Sequence, residues 1–110
     1  MDQTSLNNLL QPKSVAIVGA SAQPGKIGYT VIENLLKGGY QGKIYPINPT
    51  ASEILNLPVF PNISAVPDKI DLAVITVPVK LACQVIEECG QKGIKALSVR
   101  RLWVYTADLL

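Results

Sequence analysis

Residues 19–28 read GASAQPGKIG, a stretch in which small residues and one lysine lie between an apolar run and a helical pattern. That chemistry is suited to holding phosphate. Ser14, Val15, Ala16, Ile17 and Val18 form an apolar run of strand length, and Gly19 ends it where a side chain would block a tight turn. Lys26, Ile27 and Gly28 open the next segment, whose Ile27, Val31, Ile32, Leu35 and Leu36 fall on one helical stripe. The first N–H groups of a helix have no intrahelical acceptor and sit at its positive dipole end, so they attract a phosphate-bearing ligand. Gly19, Lys26, Ile27 and Gly28 are therefore candidate binding residues.

The loop does not match two common nucleotide fingerprints. A dinucleotide site of the G-x-G-x-x-G type has closer glycines and a carboxylate at the end of the second strand for the ribose. Here the second strand ends in Ile47-Asn48-Pro49, without an acid. The G-x-x-x-x-G-K-[ST] pattern also fails, because Gly19 and Gly25 are one residue too far apart and Lys26 precedes Ile27 rather than a hydroxyl.

The remaining elements must bring this loop to a sheet edge. Residues 1–12 form a polar lead-in with a short helical turn at Leu6, Leu9 and Leu10, interrupted by Pro12. Lys37-Gly38-Gly39 stops the first helix, and residues 43–47 make a second strand whose Pro46 places part of it at a ladder's edge or end. Asn48-Pro49 turns the chain, residues 51–57 are an irregular or helical connection, residues 57–60 a brief edge strand and residues 64–70 a compact turn region. DLAVITV, residues 71–77, is the clearest buried strand, stopped by Pro78; residues 79–92 then form a helix with Leu81, Ala82, Val85, Ile86 and Cys89 at core spacing. Gly93 closes it and residues 94–99 are a last strand. This order predicts an α/β, Rossmann-like, mostly parallel sheet of about five strands with flanking helices, whose ligand site lies between the Gly19 loop and the Val77-Pro78 loop.

Composition narrows the classes further. At 110 residues with 48% hydrophobic and 16% charged, the chain is one small globular domain, and a net charge of +2 without a basic run before Arg100-Arg101 leaves no footprint for nucleic acid. No apolar stretch approaches membrane-spanning length and no signal-peptide pattern opens the sequence, so no membrane partner and a cytoplasmic location are expected. Cys83 and Cys89 are expected as core thiols; six residues apart on one helix they are poorly placed for a disulfide. With no histidine, no metal site is expected. Glu33, Glu87 and Glu88 read as solvated helix residues, and no residue reads as catalytic.

Five separated runs carry a resemblance: PKSVAIVGAS, PGKIGY, GKIYPINP, DLAVITVP and VIEECGQKGIKAL. Over residues 9–99 they resemble the amino-terminal coenzyme A (CoA)-binding domain of ADP-forming acyl-CoA (acetate-CoA) ligases, relatives of the succinyl-CoA synthetase alpha subunit. The same domain heads some bacterial protein acetyltransferases and occurs in small stand-alone CoA-binding proteins. The resemblance implies that Ser21, Gly25, Lys26 and neighbouring amides hold CoA phosphates, that Asn48 and Pro49 form one wall of the nucleotide pocket, and that Val77 and Pro78 form the other.

The CoA-binding domain it implies is expected to span residues 1–99. Residues 100–110, RRLWVYTADLL, depart from the small-residue loop that the family places there; they read as an atypical tail, from a truncated or frameshifted gene or as a native terminal strand or helix. The family's chemistry passes a phosphoryl group through a histidine beyond this domain, and this sequence has none. The leading expectation is a CoA-binding module that carries CoA or acyl-CoA, with ligase partner subunits or a homo-oligomer as its protein partners. Two alternatives stand beside it: a subunit fragment of a split ligase active only with its partner chains, and an NAD(P)-binding regulatory domain.

Overall fold

In a computed structural model, residues 11–99 and 102–105 are described, so the turn at Leu6, Leu9 and Leu10 and most of the atypical tail lie outside the described residues. The first strand, β1 (Ser14–Val18), is buried along its whole length. It runs through the Gly19 loop into α1 (Ile27–Lys37), whose last turn carries Lys37 beside the negative dipole end. A left-handed Gly39, with φ +76°, then lets Tyr40 N–H reach back to the Leu35 carbonyl at 3.0 Å and seals the helix end.

β2 (Lys43–Ile47) pairs parallel with β1, Ser14 opposite Lys43 and Val18 opposite Ile47. Pro46 is accommodated because the backbone groups of that residue point away from β1: its carbonyl accepts Phe60 N–H at 3.0 Å, while the Ile47 carbonyl faces inward and accepts Ala20 N–H at 3.2 Å. The missing proline donor thus falls on the sheet's outer edge, as its position in the sequence suggests.

The connection after β2 differs from the irregular or helical segment expected. β3 (Glu53–Ile54) and β4 (Leu57–Pro58) form a small antiparallel hairpin, turned by Leu55 and Asn56 at φ +50° and +67°. Two successive positive φ values are what a two-residue hairpin turn of matching twist requires. Phe60 continues the edge strand only as a single bridge to Ile47, and a short 3-10 turn follows at Ile63–Ala65.

β5 (Leu72–Ile75) returns to the other side of β1, pairing Val15 with Leu72 and Val18 with Ile75. After it come α2 (Val79–Lys92), with the bounds read from the sequence, and β6 (Ala96–Val99), parallel to β5. Part of the tail, Leu102–Tyr105, forms β7 antiparallel to β6. The five-stranded sheet has the order β2-β1-β5-β6-β7 with four parallel strands, a Rossmann-like architecture.

Strand alternation assigns the two helices to opposite faces. Val15 and Ile17 pack with Ile32, Val31 and Leu35 of α1, whereas Ala16 and Val18 pack with Ala82, Val85, Ile86 and Cys89 of α2. The sequence stripes were too wide: Ile27, Leu36 and Leu81 are 65%, 43% and 50% exposed. Leu36 lies on the outer side of α1, and Ile27 and Leu81 sit in first helical turns that overhang the sheet's end. Among the described residues no helix is long and apolar enough to cross a membrane.

The two cysteines also part company. Cys89 is fully buried, while Cys83 is exposed and not the core thiol expected. Burial, followed by the nearby Glu88 charge, pushes the Cys89 thiol from 9.0 up to about 12. At pH 8 a thiol-reactive disulfide reagent is expected to label one cysteine per native chain rapidly and both in denaturant; two rapid equivalents in the native protein would contradict the packing of α2. The raised value also means that Cys89 favours the fold up to pH about 9, a contribution lost as pH climbs toward 12.

Candidate functional site

The carboxyl ends of β1, β2 and β5 open onto two hollows that share Gly19. One, about 420 Å³, lies against the loop and the start of α1 and is lined by Ser21, Gly25, Lys26, Ile27 and Gly28, with Thr76 and Pro78 opposite. The other, about 260 Å³, lies toward α2; Val18, Ile47, Asn48, Pro49 and Val77 line its sheet side. The structure therefore brings all ten candidate residues to one edge of the sheet. Pro78, expected on the wall facing Asn48 and Pro49, lines the loop-side hollow instead.

Two glycines make the close approach. Gly19 adopts φ +92°, and a Cβ there would strike Thr76 Oγ1 and lie 3.1 Å from Val77 Cγ1. Gly28 sets the start of α1 directly on the turn: a Cβ would strike the Gly19 carbonyl oxygen and come within 2.8 Å of Ala20 Cα. Thr76, missed in the sequence reading, locks the underside, its N–H and Oγ1 both donating to the Val18 carbonyl, at 2.9 and 2.8 Å. The available signal was a lone hydroxyl closing an apolar strand at the point where the sheet order reverses.

Both helices present uncapped N-termini here. Lys26 is the N-cap of α1 and Pro78 that of α2; neither end has a side-chain cap or an acidic residue in its first turn. Such ends leave backbone donors for an outside acceptor. Ser21 is not the N-cap; its Oγ accepts Gln23 N–H at 3.0 Å, which leaves the hydroxyl proton free to be donated. Lys26 is exposed and makes no ion pair with a described residue.

Asn48 does different work. Its amide nitrogen donates to the Ala20 carbonyl at 2.9 Å, and its oxygen accepts Thr50 N–H, Thr50 Oγ1 and Ala51 N–H at 2.8, 3.1 and 2.9 Å. The side chain ties the Gly19 loop to the turn after β2 and has little hydrogen-bonding capacity left. Glu88 also departs from the solvated helix residue expected: it is half-buried, lines the smaller cavity and accepts Ile63 N–H at 2.8 Å. Glu87 is exposed, as read, and Glu33 pairs with Lys37 one turn on at 3.7 Å.

A glycine-built turn between a central parallel strand and an uncapped helix, placed at the switch point of a doubly wound sheet, defines a nucleotide-type cofactor-binding domain. The chain belongs to the CoA binding domain family, whose pattern matches residues 13–106. It is 50% identical over 99 residues to the alpha subunit of an ADP-forming acetate–CoA ligase I of Pyrococcus furiosus, covering 86% of this chain and 21% of that protein. An ADP-forming acetate–CoA ligase II of Archaeoglobus fulgidus is likewise 50% identical, over 82% of this chain and 13% of its own length. Among solved structures, acetyl-coenzyme A synthetase 1 of Ca. Korarchaeum cryptofilum, in complex with phosphate and ADP, superposes with a TM-score of 0.82 at 47% identity, covering 86% of this chain and 20% of that one. The chain thus spans about a fifth or less of the length of these relatives, and it is a CoA-binding module related to ADP-forming acyl-CoA ligases.

Proposed function

We propose that this chain binds coenzyme A, with the phosphates on the Ser21, Gly25 and Lys26 side of Gly19 and the adenine base in the cavity walled by Asn48, Pro49 and Val77. The observation that carries this reading is the continuity of an amide-rich, lysine-bearing hollow with an apolar one across a residue that has no side chain. Phosphate needs donors and positive potential, a base needs an apolar slot, and both lie within reach of one extended ligand. The smaller volume, about 260 Å³, suits a single heterocycle.

The NAD(P) reading is weaker on chemical grounds. A ribose diol at the end of β2 needs an acceptor, and Asn48 there is already engaged with Ala20, Thr50 and Ala51. Calorimetric titration is expected to show CoA binding at least ten-fold more tightly than NAD; the reverse order would overturn the assignment.

In a ligase, the module's part is to hold CoA while other chain segments or subunits supply the phosphoryl chemistry. The 110 residues contain no histidine, so a phosphohistidine step draws its histidine from elsewhere. We place the protein in the cytoplasm, where CoA thioesters are made, with ligase subunits or a second copy as partners. Residues 1–99 act as the binding unit in this scheme.

A further inference from the structure

α2 turns Leu81, Gln84, Val85 and Glu88 toward the smaller cavity, a stripe at i, i+3, i+4 and i+7. Leu81 and Val85 suit the flat face of a ring. Glu88 is the one charged residue lining this cavity among the described residues, and a carboxylate beside apolar walls is costly unless its acceptors are used. One oxygen accepts Ile63 N–H at 2.8 Å and so pins the wall after Pro61 and Asn62. Neither a hydrogen bond nor an ion pair with a described residue engages the other.

We propose that Glu88 reads the base of the bound nucleotide, its second oxygen accepting a hydrogen bond from an exocyclic amine. The inference rests on the CoA reading and adds to it a basis for choosing among purines. A 6-amino purine offers an N–H donor beside a ring-nitrogen acceptor, whereas a 6-oxo purine offers an acceptor beside a ring N–H. An ionised carboxylate only accepts, so it matches the first edge and opposes the second. Gln84, one turn earlier on the same face, carries an amide that can donate to the adjoining ring nitrogen. A site that pairs with one edge is left with an unpaired polar group by the other, and that asymmetry is the source of selectivity.

The test compares CoA with its deaminated analogue, in which hypoxanthine replaces adenine, by calorimetry on the wild-type chain and on Glu88→Gln. The wild type is expected to prefer the amino form by about ten- to hundred-fold. In Glu88→Gln the amide oxygen still accepts Ile63 N–H, and the amide nitrogen brings a donor to the cavity, so the preference should collapse to within about three-fold or reverse. Tight CoA binding with no wild-type preference overturns the role of Glu88 while leaving the CoA reading intact, and this arm needs no variant to fold. A preference that Glu88→Gln leaves unchanged does the same. Binding of neither ligand overturns both.

Discussion

Replacing Gly28 by Ala is expected to lower stability by about 3 kcal/mol, the upper end of what over-packing usually costs, and to abolish tight ligand binding. The added methyl meets the Gly19 carbonyl oxygen, Gly19 C at 2.9 Å and Ala20 Cα at 2.8 Å. These are backbone atoms of the turn itself, so no rotamer change can relieve them; α1 must lift away from the end of β1. That movement carries the free helix amides away from the hollow that Ser21 and Lys26 line. The same substitution at Gly90 should have the opposite sign. Gly90 lies within α2, and beyond its chain neighbours and the helix's own backbone no atom comes within 4 Å of the new methyl; alanine is favoured over glycine in a helix by roughly 0.5–1 kcal/mol. Urea denaturation of both variants checks the pair: the midpoint should fall sharply for Gly28→Ala and rise slightly for Gly90→Ala. An unchanged midpoint for the first would mean that the helix does not sit on the turn as closely as described.

The contrast shows which parts of the fold are written locally in the sequence. β1, the existence of β5 and the bounds of α2 were legible because apolar runs are set off by Gly19, Pro78 and Gly93, residues whose backbone chemistry ends an element, although β5 itself stops at Ile75, short of the expected Val77. The hairpin of β3 and β4 was not. Its turn is Leu55-Asn56, where only Asn56 is a residue that commonly enters the left-handed region, and without glycine the signal for a tight reversal is faint. Helical spacing also placed Ile27 and Leu81 in the core, because spacing gives the face of a helix and not how far the sheet extends beneath it. Both residues fall past the strand ends, and each lines one of the hollows.

The site itself divides in the same way. Gly19, Gly25 and Lys26 could be placed together from the local order of small residues before a helix, and they line one hollow. Thr76 and Glu88 could not, because their significance depends on residues 58 and 25 positions away: Thr76 matters through Val18, and Glu88 through Ile63. Asn48 was legible as a residue at this end of the sheet, but its task of joining two loops through Ala20 and Thr50 is visible only once β1 and β2 lie side by side.

Lys26→Ala is expected to weaken CoA binding by roughly ten- to hundred-fold while leaving the denaturation midpoint unchanged. The side chain is exposed, lines the loop-side hollow and makes no ion pair with a described residue, so its removal leaves no buried partner unsatisfied. A charge-assisted hydrogen bond to phosphate is worth about 1.5–3 kcal/mol, which corresponds to that loss of affinity. Being solvent-facing, the contact is screened, so the gap between wild type and variant should narrow as ionic strength rises. Lys80 provides the control: it is also exposed, near the start of α2, but lines neither hollow. Lys80→Ala removes the same charge and should cost much less, and Lys26→Arg should retain most of the affinity. Equal losses from Lys26→Ala and Lys80→Ala would reduce Lys26 to a contributor of net charge and would move the phosphate contact to the backbone amides and Ser21.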